Sequence, residues 1–321
     1  MTTAPHPTKL PSHPSPWVTL AFAYVYVAWG ATYLGIHFAL ESMPPFLLTS
    51  CRFILAGSLL MGLLWIFHSK DFHWGNLLEW RDAGVVGSML LIGGNGSMVW
   101  AQQYVPSSIA ALIFGSTPLC IILMEWLRPN GTAPSVRTCV GLVFGFAGLC
   151  ILIQPSAETP DNRMETLGKL ALLFAACSWS AGAIYSRHVH AKGSPLLPMA
   201  RQMIVAGLAL LVISWLHHDW DTFSFGKVTL TSWLGFTYLV VFGSLIGFTA
   251  YVWLMRVSTP AHVSTISYVN LVVAVLLGWT IGREPMTLRI LIGAGVIVCS
   301  VVLVLKKKSA RATVNTTPTE G

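Results

Sequence analysis

Long apolar stretches separated by short polar segments occupy most of this chain. Ten of them approach the roughly 20 residues that a helix needs to cross a bilayer core about 30 Å thick. They are 17–37, 46–67, 83–104, 107–127, 136–154, 167–187, 196–216, 232–255, 262–281 and 288–305. The pattern predicts an all-α integral membrane protein with ten transmembrane helices. The polar, proline-rich segment 1–16 and the basic segment 306–321 are expected to be flexible tails.

The chain repeats itself once at an offset of 150 residues. Segments 28–31, 52–57 and 91–94 match 178–181, 202–207 and 241–244. Repeat 1 (17–154) and repeat 2 (167–305) each contain five apolar stretches, and the proline-containing acidic segment 155–166 joins them. An odd number of crossings makes the two copies enter the membrane from opposite sides. We therefore predict two inverted five-helix repeats around a central cavity, as in many secondary transporters.

Composition and charge support a membrane environment. Hydrophobic residues make up 54% and charged residues 10% of the 321 positions, which a soluble domain could not accommodate. If the N-terminus is inside, twelve Lys and Arg residues lie in inside segments and five in outside segments. This bias predicts an inner-membrane protein with both termini cytoplasmic and the joint outside. We expect no nucleic-acid partner for the net charge of +7, because no basic face recurs at helical spacing.

Motifs in both halves resemble the EamA family of the drug/metabolite transporter superfamily, and most of all its YedA-type exporters. They are the run from Trp29 to Tyr33, Arg52-Phe53, Gly94-Asn95-Gly96, 105–111 and 268–278. The resemblance covers about residues 17–305 and implies a ten-helix carrier with a central cavity. The family commonly has proline where this chain has Leu271, whereas Pro118 keeps it in the other copy. We therefore expect the ninth helix to be straighter than the fourth.

Polar residues within the spans are the candidate substrate contacts, because lipid makes them costly unless they face a cavity or a partner. Asn95 lies between glycines in the third span, and Gln102 lies seven residues later on nearly the same helix face. The alternative for Asn95 is a hydrogen bond that ties two helices together.

Aromatic residues complete the predicted cavity. Trp29 and Trp179 occupy equivalent places in the two repeats, and Tyr33 follows Trp29 by one turn. Tyr268 and Asn270 lie in the segment that most resembles the family. Aromatic walls with a few polar groups suit amphipathic organic molecules better than bare ions. The seven predicted cavity residues are Trp29, Tyr33, Asn95, Gln102, Trp179, Tyr268 and Asn270.

Of the charged residues within the spans, three are candidates for a functional role. Arg52 and Arg201 have similar depths in the second and seventh spans, where their long stems could carry the charge to the interface. For Arg52, the alternative is attraction of an anionic substrate group. Glu125 lies near the end of the fourth span, which is weak support for a proton relay.

The sequence favours a secondary transporter that exports small amphipathic metabolites or drugs, amino acids among the candidates, by alternating access. It contains no HExxH motif, no paired carboxylates and no Cys/His metal spacing, so we expect neither an enzyme nor a cofactor or metal. The rival interpretation is a non-transporting membrane protein such as a sensor or assembly factor. The expected partners are a small-molecule substrate and the lipid bilayer, with the chain as a monomer or homodimer.

Overall fold

Helices account for nearly all the ordered structure in the computed structural model, which describes residues 15–69, 72–128, 131, 133–154, 163–189 and 193–305. The described residues form ten long helices: α1 Pro16–Leu40, α2 Pro45–Phe67, α3 Leu77–Ala101, α4 Ser107–Leu127, α5 Val136–Ile153, α6 Arg163–Ser186, α7 Leu196–Leu216, α8 Leu230–Val257, α9 Ile266–Thr280 and α10 Leu288–Leu305. The predicted tails and joint lie outside these ranges, apart from residues 15–16 and 163–166.

Length and apolar composition qualify α1 to α8 as candidate membrane spans. The helices α9 and α10 are apolar but shorter, so only eight of the ten predicted spans meet this criterion in the described residues. The span predicted at 262–281 begins later than expected, because the short helix Pro260–Val263 ends before α9 starts at Ile266.

Local sequence explains several helix boundaries and interruptions. Pro16 and Pro45 occupy the first turns of α1 and α2, where a missing N–H costs nothing. The helix α4 is interrupted at Gly115 and Ser116. The predicted ninth span is likewise interrupted, at Ser264 and Thr265 before α9 begins, so a straighter ninth helix stays a prediction. Gly115 also allows close approach, because a Cβ there would lie 2.0 Å from Leu271 Cδ2 of α9.

The helix contacts relate the two repeats by an approximate two-fold exchange. The helices α2, α4 and α5 pack against their own counterparts α7, α9 and α10. The contacts of α1 with α8 and α9 are matched by those of α6 with α3 and α4. Gly57 of α2 contacts Met203 and Gly207 of α7 contacts Ile54, which makes this pair antiparallel. The copies therefore run in opposite directions, as an inverted repeat requires.

The glycines of α5 pack within the chain. A Cβ on Gly141 would lie 2.6 Å from Val304 Cγ2, and one on Gly148 would lie 2.8 Å from Ile297 Cγ1. Small residues of this kind let helices approach closely in membranes. The sequence leaves open whether these glycines pack helices within the monomer or mediate a dimer. In the structure they pack against α10 of the same chain.

Candidate substrate site

Two π-helical segments lie at equivalent positions in the two repeats. They are Ser88–Gly96 within α3 and Leu239–Ile246 within α8. A π-helix hydrogen-bonds from residue i to i+5, and such segments occur frequently at functional sites. The first contains Asn95, and the second contains Gly243 and Ser244. The first segment contains 91–94 and the second contains 241–244, which match at an offset of 150 residues.

Arg52 of α2 connects the two π-helical segments. Its Nε donates a hydrogen bond of 2.9 Å to Ser244 Oγ, and its Nη1 donates a long one of 3.5 Å to Asn95 Oδ1. The guanidinium carbon also lies 5.1 Å from the centre of the Phe53 ring. With Arg52 only 4% exposed, the charge remains inside the bundle and is not carried to its surface.

The charge of Arg52 has no acidic partner among the described residues, which distinguishes it from the other buried cations. Arg201 pairs with Glu79 at 3.4 Å, and Lys169 pairs with Glu165 at 2.5 Å. Burying a charge without a partner is costly, and Arg52 has only a neutral hydroxyl and a neutral amide. The site therefore has excess positive charge.

The two predicted tryptophans pack against the π-helical segment of the opposite repeat. Trp29 Nε1 donates to the Gly243 carbonyl at 3.2 Å, and its ring contacts Phe248 and Tyr251. Trp179 approaches Gly94, where a Cβ would lie 3.0 Å from its Cε3. The structure therefore places Trp29, Arg52, Asn95 and Trp179 around the two segments.

The other four predicted cavity residues form no side-chain hydrogen bond with this group in the described part of the chain. Tyr33 is 9% exposed and belongs to the main apolar core. Gln102 is buried just after α3 ends, and neither atom of its amide has a hydrogen-bond partner in the described residues. Tyr268 packs beside the core at the start of α9, and the buried Asn270 Oδ1 also lacks a partner there. That all seven line one cavity remains a prediction.

The structure contains an apolar cavity of about 260 Å³ between α2 and the loop leading into α8. It is lined by Met43, Leu47, Leu48, Cys51, Trp220, Phe223, Phe225, Trp233 and Phe236. A second, partly polar cavity of about 380 Å³ lies beside it, next to His217 and Asp219. None of the seven predicted residues lines either cavity. We call the first one the aromatic pocket.

Glu125 lies at the end of α4 within ion-pair distance of two arginines. Its carboxylate is 2.9 Å from Arg128 and 3.1 Å from Arg187. Because exposed arginines account for its charge, this geometry adds no support to a proton relay.

Sequence reasoning missed two buried carboxylates in loops of repeat 2 that bind helix N-termini of repeat 1. Asp219 Oδ2 accepts hydrogen bonds from the backbone N–H groups of Phe46 and Leu47 at 3.1 and 2.9 Å. Glu284 accepts from those of Ser107 and Ser108 at 2.6 and 3.0 Å. Neither carboxylate has a motif, and only the fold brings them to α2 and α4.

Comparison with known proteins identifies the family. A model of the EamA-like transporter family matches residues 16–154 and again 166–306. The chain belongs to this family. The match in both halves explains the repeat, and family membership accounts for the motifs from Trp29 to 268–278.

Several relatives are named as transporters. The chain is 33% identical to the uncharacterized inner membrane transporter YedA of Escherichia coli (strain K12), over 87% of this chain and 88% of that one. It is 24% identical to the uncharacterized transporter YvbV of Bacillus subtilis (strain 168), over 93% and 94% of the two chains. A solved crystal structure superposes with a TM-score of 0.61 at 20% identity, covering 89% of this chain and 96% of the other, and shows the shared fold.

Proposed function

We propose that this protein is a secondary transporter that exports small amphipathic molecules across the inner membrane by alternating access. Both termini would be cytoplasmic. The observation that carries the proposal is the meeting of the two π-helical segments at Arg52. Substrate sites of inverted-repeat transporters lie between the repeats, often where helices depart from regular geometry.

Contacts between the repeats support a state that is closed at one end. Asp219 and Glu284 attach repeat 2 loops to the N-termini of α2 and α4. Ser42, after α1, donates a hydrogen bond of 2.7 Å to Ser232 of α8. We call this the Asp219 end, and the charge bias of the sequence makes it extracytoplasmic. Opening it would require these contacts to break.

A reversible cross-link tests alternating access. The hydroxyl oxygens of Ser42 and Ser232 lie close enough for a disulfide to replace their hydrogen bond. The double variant Ser42→Cys and Ser232→Cys would be made in a background whose six native cysteines are replaced. Uptake of a panel of amphipathic acids, amines and amides into everted vesicles would identify a substrate. We expect oxidation to stop that uptake and dithiothreitol to restore it.

The two single-cysteine variants provide matched controls, because neither can form the cross-link. Their uptake should not respond to oxidation. Uptake that continues at full rate in the oxidised double variant would refute opening at the Asp219 end. If vesicles that contain the protein take up no panel compound faster than protein-free vesicles do, the result would count against the transporter proposal itself.

A further inference from the structure

Arg52 has donor capacity that the protein itself does not use. A guanidinium carries five N–H donors in a planar fork. In the described residues, Nε binds Ser244 and Nη1 makes only the long contact to Asn95, while Nη2 forms no hydrogen bond. Gly243 lies beside Nη2: a Cβ there would contact it at 3.5 Å, so the glycine leaves this side of the guanidinium uncovered by a side chain at position 243. A planar anion such as a carboxylate matches such a fork.

The same surroundings disfavour positively charged ligands. No acidic residue of the described chain forms an ion pair with Arg52 or shares its hydrogen-bonded group. Every Asp and Glu in those ranges lies in a loop or within two turns of a helix end. An ammonium bound beside Arg52 would therefore be repelled without compensation. A zwitterion would have one favourable contact and one unfavourable one.

The aromatic pocket begins one helical turn from Arg52. Leu48 lines it, and residues i and i+4 share a helix face, about 6 Å apart along the axis. Its lining contains only apolar residues, including Phe236 and Trp233. Benzene fills an engineered cavity of roughly 150 Å³, so the pocket's volume of about 260 Å³ leaves room for a two-ring body.

The geometry points to an amphipathic organic anion as the ligand, with its carboxylate at Arg52 and its apolar body extending along α2 to the aromatic pocket. This inference rests on the proposed transport function and names the substrate class for it. The transporter would select monoanions over neutral molecules, amines and zwitterions of the same shape.

Three probes with one two-ring body separate the contribution of charge. They are 2-naphthoate, 2-naphthamide and 2-naphthylmethylammonium. Titration calorimetry would use the purified full chain in phosphatidylcholine nanodiscs, where no anionic lipid competes for Arg52. We expect the acid to bind roughly tenfold or more tightly than the amide, since charge-assisted hydrogen bonds are the stronger ones. The amine should bind most weakly.

Variants locate the source of this selectivity. Arg52→Gln should make acid and amide bind alike, and Arg52→Lys should keep part of the preference. The matched control is Arg187→Gln, which removes an exposed arginine paired with Glu125 and should change nothing. Cys51→Phe, which narrows the aromatic pocket, should weaken acid and amide by the same factor.

Each contrary result is informative. Equal binding of acid and amide to the wild type, or no binding of any probe at millimolar concentration, would overturn the inference without any variant. Acid preference that survives Arg52→Gln would place the anion elsewhere. If Cys51→Phe binds the probes as tightly as the wild type does, the aromatic pocket is not part of the ligand site. Selective binding without naphthoate uptake in vesicles would leave the ligand class intact and contradict the transport proposal instead.

Discussion

At the scale of single residues, the side chain of Asn95 has a defined neighbour. It is 8% exposed and accepts a hydrogen bond from Arg52. This contact has the form of the helix-to-helix tie that was the alternative to substrate binding. The two roles are compatible, because a substrate anion at Arg52 would lie beside the same amide. Transport by an Asn95 variant separates them.

We predict that Asn95→Leu inserts and folds but transports more slowly than the wild type. Leucine keeps the packing volume and removes the hydrogen bond that helps to orient Arg52. Expression level, thermal unfolding and vesicle uptake would be compared. The matched control is Gln103→Leu, an exposed glutamine just after the same helix, which should leave uptake unchanged. Wild-type uptake by Asn95→Leu would mean that the amide has a structural role alone.

Sequence reasoning identified Arg52 and Asn95 but not Ser244. These residues are far apart in the chain. The offset of 150 shows which residues are equivalent in the two repeats, but only the packing of the helices shows which residues are in contact. Sequence reasoning also placed Gln102 on nearly the same helix face as Asn95, because it assumed the α-helical period. Asn95 belongs to the π-helical segment that ends at Gly96, so the α-helical period does not hold over all seven residues from Asn95 to Gln102. A change in helix type is not visible in a hydrophobic pattern.

At the scale of helices, the carboxylates at the Asp219 end act on helix N-termini. An unpaired N-terminal N–H group inside the bundle is energetically costly. A negative charge at this position also interacts favourably with the positive end of the helix dipole. Because each carboxylate comes from repeat 2 and each helix from repeat 1, the same contacts hold the repeats together.

We predict that Glu284→Gln lowers the stability of the purified protein by about 1–2 kcal/mol, the usual effect of losing a helix cap. The amide keeps the size of the side chain but accepts less strongly than a carboxylate. Thermal unfolding in detergent would measure the shift. Asp221→Asn changes an exposed carboxylate paired with His218 and provides the control, with no expected effect. Equal shifts in the two variants would contradict a capping role for Glu284.

At the scale of the whole molecule, the charge bias of the sequence and the odd number of helices per repeat lead to one orientation. The antiparallel contact of α2 with α7 agrees with the inverted arrangement. The sequence could predict the apolar helices and their inverted repetition because apolar length and repetition are properties of the chain itself. The pairing of helices across the repeats depends on side-chain fit, and only the structure provides it.

We predict that both termini are cytoplasmic and that residue 160 faces the opposite side. Alkaline phosphatase and green fluorescent protein fused at residue 160 and at the C-terminus would decide this, since each is active on one side only. The reverse fusion partner at each position is the control. The same reporter active at both positions would contradict an odd number of crossings in repeat 2.

The contact between α5 and α10 has a consequence for how the protein is made. Chains are synthesised from the N-terminus, so α5 enters the membrane long before α10 exists. Until then, lipid or the insertion machinery must cover Gly141 and Gly148, which α10 covers in the folded protein. The helix α10 is therefore needed to cover this face of α5, and a chain released before residue 288 would expose it to membrane proteases.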